Sequence, residues 1–155
     1  CTLRKYNLNI RFPKGLLLHG GGWKKMEDEK IDNENFKREV MEVLNIKKVH
    51  NYYGLIEQTG TIYMECEKGF FHASNFSDIY IRKAVNTPPV NNQKGMVQLM
   101  SPLATSYPGH NILTEDLGMI YGQDNCECGR KGKYFQIFGR LKNTEIRGCS
   151  DTIID

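Results

Sequence analysis

No stretch of this sequence approaches the roughly 18 consecutive apolar residues that a membrane-spanning helix requires. The opening run Cys1-Thr-Leu-Arg-Lys-Tyr6 lacks the apolar core of a signal peptide. Both absences direct the expectation to a cytoplasmic protein with no membrane partner. Charge of one sign is also scarce: the net charge is +3, and the basic pairs Lys24-Lys25, Lys37-Arg38, Lys47-Lys48 and Arg82-Lys83 are scattered. Such a distribution reads as solvated faces and argues against a nucleic-acid partner. There is no P-loop, because Gly20-Gly21-Gly22 is not followed by Gly-Lys-Ser/Thr. There is no initiating methionine, which suits a chain cut from inside a longer polypeptide. Five cysteines (Cys1, Cys66, Cys126, Cys128, Cys149) cannot all pair with one another. In a reducing compartment, such a set points to metal binding or thiol chemistry rather than to disulfides.

The 155 residues suffice for one domain with a core of its own, and 39% hydrophobic with 25% charged residues is ordinary for a globular protein. Gly15-Leu-Leu-Leu-His19 is too short for a helix and ends in three glycines, so it reads as a buried strand running into a loop. Asp32 to Leu44 reads as a helix. Phe36, Val40, Val43 and Leu44 form one apolar stripe, Asp32 or Asn33 caps the start, and Asn45 closes the end in a left-handed conformation. With a strand at Lys47 to Tyr52 this makes a βαβ unit of a larger sheet, with parallel strands and a right-handed crossover. From Ile62 the texture changes to short runs: Ile62 to Cys66, Phe70 to His72, Ile79 to Val85, Gly95 to Met100, Met119 to Tyr121 and Tyr134 to Phe138. The expected fold is therefore α/β, with the βαβ part at 1–61, a small antiparallel β region or partial barrel at 62–140, and a tail at 141–155.

Five places carry candidate chemistry. The loop from Asn51 to Gly60 offers Tyr53 as a flat stacking face, Gly54 for close backbone approach, and Glu57 as a ligand for a hard cation such as Mg²⁺. It is equally readable as a strand and turn with Glu57 solvated. The Gly20-Gly21-Gly22 turn exposes backbone N–H groups that suit a base or phosphate, or is simply a flexible turn. If strands obey the βαβ rule, both loops leave the carboxyl ends of their strands and line one crevice. Asp116, in Thr114-Glu-Asp116, is placed at a β-turn, either to accept from two ribose hydroxyls or to cap that turn. Cys66 and His72 flank a Glu67-Lys68-Gly69 turn, while Cys126 and Cys128 share a second one. Three thiolates and an imidazole make a closed tetrahedral zinc set that would staple the two segments together. Read separately, Cys66 is a small core residue and His72 a satisfied polar one. Cys149 has Arg147 and Gly148 beside it, and a nearby guanidinium lowers a thiol pKa towards nucleophilic use.

Taken in order, these motifs resemble the adenylate-forming enzyme superfamily, nearest to the acyl-protein synthetases of bacterial luciferase operons and the related phenylacetate-CoA ligases. Gly15-Leu-Leu-Leu-His-Gly-Gly-Gly-Trp23 resembles the strand and glycine turn that contact adenine. Tyr53-Gly-Leu-Ile-Glu57 is similar to the loop whose aromatic packs on the base and whose glutamate holds Mg²⁺. Thr114-Glu-Asp116 resembles the segment whose aspartate binds the ribose. Gly139-Arg140 resembles the pair before the hinge, which implies Arg140 on the ribose and Lys142 at the hinge. Asn143 to Thr152 matches the acyl-protein synthetases, implying that Cys149 carries the acyl group as a thioester towards a reductase or acyltransferase partner.

The zinc set also resembles one found in phenylacetate-CoA-ligase-like proteins. One departure is Ile56, where the superfamily has a threonine on the α-phosphate; Thr59 is the residue that substitutes. The resemblance implies a ligase that uses ATP, Mg²⁺ and a carboxylic or fatty acid to form an acyl-adenylate with release of pyrophosphate, and then passes the acyl group to a thiol with release of AMP. It further implies that an N-terminal half of the same enzyme is missing and that the isolated chain adenylates poorly. Two rival readings are a ligase that transfers to coenzyme A, with Cys149 a bystander, and a zinc-stapled binding module without chemistry.

Overall fold

The computed structural model describes residues 5–6, 10–23, 29–105 and 108–141. Two compact units part between Asn51 and Tyr52, and each is described by itself. In the first, β1 (Leu16–Gly20) and β2 (Lys48–Tyr53) are hydrogen-bonded neighbours, with α1 (Asn33–Leu44) between them in sequence. The helix starts and stops where its capping residues dictate. Asp32 accepts from the Asn35 backbone N–H at 2.9 Å, and Asn45 takes φ 49°, a left-handed conformation that asparagine tolerates well. Phe36 of the apolar stripe packs against His19 at 4.7 Å and edge-on to Trp23 at 6.1 Å. Ile46 and Val49 are buried.

One expectation fails here. Leu16–Gly20 is not a buried strand among the described residues: its burial alternates, with Leu16 and Leu18 about half exposed. Successive side chains of a strand point to opposite faces. Here only the face carrying Leu17 and His19 is covered, and an unbroken apolar run does not reveal which faces are.

The second unit opens with the end of β2, where Tyr52 and Tyr53 pair antiparallel with Met64 and Tyr63 of β3 (Tyr63–Met64). Beyond it lies an open antiparallel sheet of five strands in the order β4-β8-β7-β6-β5. Its members are β4 (Phe71–His72), β5 (Asp78–Arg82), β6 (Gly95–Met100), β7 (Asn111–Gln123) and β8 (Lys133–Arg140). Alternate residues Ile79 and Ile81, Val97 and Leu99 point to one face and are fully buried with Phe135, Tyr63 and Ile120. Each such side chain stabilises the fold by roughly 1.5–3 kcal/mol.

The largest departure from the sequence reading is β7. A short strand at Met119 to Tyr121 and a turn at Thr114 to Asp116 were expected; a single strand of 13 residues runs through both. Its first half pairs with β6 and its second half with β8, the register shifting at irregularities on each side. The polar Thr114 does not turn the chain. Its hydroxyl donates to the Val97 carbonyl at 2.9 Å and accepts from the Asp116 N–H at 3.1 Å, filling the gap in the ladder where β6 slips register. Thr114 and Asp116 therefore read as turn formers while serving a bulge.

Between β2 and β3 the chain makes a 3-10 turn, Ile56–Gln58, held by a buried side chain. Gln58, 1% exposed, donates from Nε2 to the Gly109 carbonyl at 2.8 Å, and its Oε1 accepts from the Tyr63 hydroxyl at 3.5 Å. Gly109 lies so close that a Cβ there would stand 2.0 Å from the Glu57 carbonyl oxygen. A Gly109→Ala substitution should therefore cost about 1–3 kcal/mol by overpacking, seen as a lower midpoint in chemical denaturation. Gly22→Ala, which meets nothing within 4 Å, should stay within about 0.5 kcal/mol of the parent.

Candidate functional site

The second unit brings together three of the residues singled out in the sequence. Tyr53, at the end of β2, donates its hydroxyl to Asp116 Oδ2 at 2.7 Å. Asp116 on β7 stands opposite Arg140 on β8, and the Arg140 Nε lies 3.7 Å from Asp116 Oδ1. The strand pairing sets this meeting, because residues directly opposite in an antiparallel ladder project to the same face. Burial raises the Tyr53 pKa strongly and the Asp116 charge adds to it, so the phenol stays protonated and acts as the donor. The Tyr53 ring is 6.1 Å from both Tyr63 and Phe71, which seats it on the hydrophobic core. Asp116 is thus a mostly buried carboxylate, one oxygen hydrogen-bonded and the other facing a guanidinium. A carboxylate offers about four acceptor positions, so it retains capacity for hydroxyl donors.

The remaining candidates are placed as follows. Gly54 is exposed, and a Cβ there would meet only the Thr61 carbonyl, at 3.3 Å. Glu57 sits in the 3-10 turn with an exposed side chain. Thr59 is exposed too, its hydroxyl donating to the Ile56 carbonyl at 2.8 Å. Gly20, Gly21 and Gly22 belong to the first unit, where Gly21 takes φ 85° and no atom lies within 4 Å of a Cβ built on Gly21 or Gly22. Lys142 and Cys149 lie outside the described residues. Gln58 was missed in the sequence. A glutamine beside an acidic loop residue carries no pattern that marks it as buried.

A second site is built by two turns of the same construction. Gly69 N–H bonds to the Cys66 carbonyl at 3.0 Å with φ 75°, and Gly129 N–H bonds to the Cys126 carbonyl at 3.0 Å with φ 82°. Glycine suits both positive-φ positions. Lys68 of one turn and Glu127 of the other form an ion pair of 2.9 Å. The ligand atoms of Cys66, His72, Cys126 and Cys128 all fall within 4.8 Å of one another. A tetrahedron with zinc–sulfur bonds of about 2.3 Å has edges of roughly 3.8 Å, so a slight contraction would close it.

His72 Nε2 lies 3.4 Å from Cys128 Sγ, and the Arg130 N–H points to the same sulfur at 3.4 Å. Burial, then the Arg130 charge, depresses the His72 pKa and keeps its imidazole neutral, as a metal ligand must be. Burial pushes the Cys126 thiol up to about 11, with the neighbouring Cys66 and Cys128 adding to it. Burial works the same way on Cys128 but is outweighed by the Arg130 N–H and by hydrogen bonds from Cys126 and Cys66, which bring that thiol below its ordinary value. One thiol disposed to ionise, Cys128, beside another, Cys126, held protonated by burial is a donor set that a cation would stabilise.

The family model described as "Acyl-protein synthetase, LuxE" matches residues 1–155. The "Long-chain-fatty-acid--luciferin-component ligase" of Vibrio harveyi is 24% identical over 157 residues, covering 97% of this chain and 40% of that protein. The protein of the same description from Aliivibrio fischeri is 27% identical over 158 residues, again 97% of this chain and 40% of the relative. The chain thus spans about two-fifths of the length of these relatives.

Among solved structures, apo MatB from Rhodopseudomonas palustris superposes with a TM-score of 0.55 at 18% identity, covering 82% of this chain and 26% of that one. McyG A-PCP, solved with phenylalanyl-adenylate, gives 0.52 at 18% identity, covering 82% of this chain and 25% of that one. These likenesses show a shared α/β fold. With a family model matched from Cys1 to Asp155, this chain belongs to the LuxE acyl-protein synthetase family.

Proposed function

We propose that this chain is the nucleotide-handling part of an ATP-dependent acyl-activating enzyme that passes the acyl group to a cysteine thiol. The observation carrying this reading is the meeting of Tyr53, Asp116 and Arg140 in a chain matched end to end by the acyl-protein synthetase family. Asp116 accepts the ribose hydroxyls of ATP or AMP, held in place by Tyr53 and by Arg140, which also reaches the ribose. Gly20, Gly21 and Gly22, with Gly54, let backbone approach the base and phosphates. Thr59 contributes a hydroxyl to the α-phosphate in place of the threonine that Ile56 replaces, and Lys142 serves at the hinge.

Glu57 would hold Mg²⁺, which when bound would supply positive charge against the phosphates; the acid carboxylate attacks the α-phosphorus and pyrophosphate leaves. The Cys149 thiolate then attacks the acyl carbonyl of the adenylate; the C–O bond to phosphate breaks, a thioester forms and AMP departs. The substrate is a carboxylic acid of the fatty-acid class, in keeping with the names of the curated relatives. The rest of the enzyme supplies the N-terminal half, a reductase or acyltransferase receives the acyl group, and the setting is cytoplasmic. The Cys66, His72, Cys126 and Cys128 set holds zinc with a structural role, since four protein ligands leave no position open for substrate.

Three measurements test these assignments. Incubating the chain with a long-chain acyl-adenylate should give an acyl adduct that peptide mapping places on Cys149 and that Cys149→Ser removes. An adduct spread over the other cysteines, or none, would refute the thiol assignment. In the complete enzyme, Asp116→Asn should raise the dissociation constant for AMP by about tenfold, since a charged acceptor of ribose hydroxyls becomes a neutral one; unchanged affinity would remove Asp116 from the nucleotide site.

The purified chain should carry one zinc per molecule by elemental analysis, and a chelator should lower its melting temperature. Zinc retention should fall as the pH drops, because protons compete for the thiolates. With the metal-free Cys126 thiol at about 11, the proton is favoured throughout the acidic and neutral range. Retention that is unchanged between mildly alkaline and acidic pH would count against cysteine ligation.

A further inference from the structure

On the second unit, the strands β5, β6 and β7 frame a groove of about 490 Å³ that shares no residue with Tyr53, Asp116 and Arg140. The volume equals that of roughly sixteen liquid waters and falls within the range of small-molecule sites. A polar relay crosses its floor from strand to strand. Arg82 Nε donates to Gln98 Oε1, Arg82 Nη1 donates to the Thr87 carbonyl, and Gln98 Nε2 donates to Asn111 Oδ1 at 2.6 Å. Gln98 is 8% exposed, and its side chain links the half-buried Arg82 to the exposed Asn111, holding the guanidinium in one orientation.

The partners of Arg82 are a neutral amide and a carbonyl, not a carboxylate. None of the eight lining residues is acidic, and the carboxylate of the same strand, Asp78, is engaged by Lys133 at 2.7 Å. Arg82 Nη2 and the Asn111 amide N–H₂ make no hydrogen bond among the described residues. Beside these donors the walls turn apolar with Val85, Pro88 and Leu113, and Val85 is 67% exposed. A half-buried cation with no counter-charge among the described residues, set against an exposed apolar wall, is complementary to a ligand that is anionic at one end and apolar along its length.

We propose that this groove binds an amphiphilic monocarboxylate, its carboxylate on Arg82 and Asn111 and its alkyl chain along Val85, Pro88 and Leu113. A carboxylate matches the guanidinium fork and carries the single negative charge that one arginine neutralises. A phosphate dianion would leave one charge uncompensated against apolar walls. The proposal is independent of the adenylation reading, because it requires neither nucleotide nor metal.

The test is a titration of the isotope-labelled chain with sodium octanoate, followed by amide and arginine side-chain NMR signals. Octanoate should shift Val85, Thr87, Leu113 and the Arg82 Nε–H saturably. Octan-1-ol, with the same chain and no charge, and the Arg82→Gln variant with octanoate should each bind about tenfold or more weakly. Because Arg82 also braces the Thr87 loop, a second variant is needed. Val85→Glu, at an exposed position, should weaken octanoate similarly while leaving signals remote from the groove in place. Shifts that miss these residues, equal affinity for octanol, or affinity unchanged in both variants would overturn the proposal. Inorganic phosphate saturating the same signals as tightly as octanoate would overturn the amphiphile assignment.

Discussion

The hydrogen bond from the Tyr53 hydroxyl to the Asp116 carboxylate joins three parts of the second unit at one point. The Tyr53 backbone belongs to the end of β2 and pairs with Tyr63, its ring rests on the aromatic core, and its oxygen fixes a side chain on β7. The core thereby determines the direction in which a mostly buried carboxylate points. Arg140 meets the same carboxylate because the β7–β8 register sets it opposite. Loop, core and strand register must all be correct before the three residues meet. The folded unit therefore pre-arranges these three side chains.

The 3-10 turn is held by a comparable device. Gln58 turns inward to the Gly109 carbonyl while its neighbour Glu57 remains in solvent, and the absent side chain at Gly109 lets the two backbones touch. A buried amide satisfied at both ends is costly to disturb and specifies a single geometry. The exposed carboxylate therefore sits on a rigid base, although nothing among the described residues holds its own side chain.

Much of this was legible in the sequence where a local rule acts alone. Asp32 and Asn45 bound α1 because capping depends on one or two side chains and the adjacent backbone. The Cys66, His72, Cys126 and Cys128 set was legible because each pair carries its own glycine turn. What could not be read depends on partners distant in the chain. β7 is continuous because β6 and β8 each hold one half of it, and Thr114 looks like a turn former until the Val97 carbonyl is found beside it. Gln58 shows no pattern because its partner is Gly109, 51 residues away. Leu16 and Leu18 suggested burial because apolarity records what a residue tolerates, not which face of its strand is covered.

The strand β4 has only two residues and ends the five-stranded sheet. Phe71 pairs with Phe135 on one side and bridges to Glu65 on the other, so little backbone is left open there. Sheet edges with long rows of free N–H and C=O groups recruit strands from other molecules. An edge this short, closed further by Glu65 and flanked by the cysteine turns, offers almost no template for such recruitment. The margin of the sheet that carries the thiols is thus also protected against edge-to-edge aggregation.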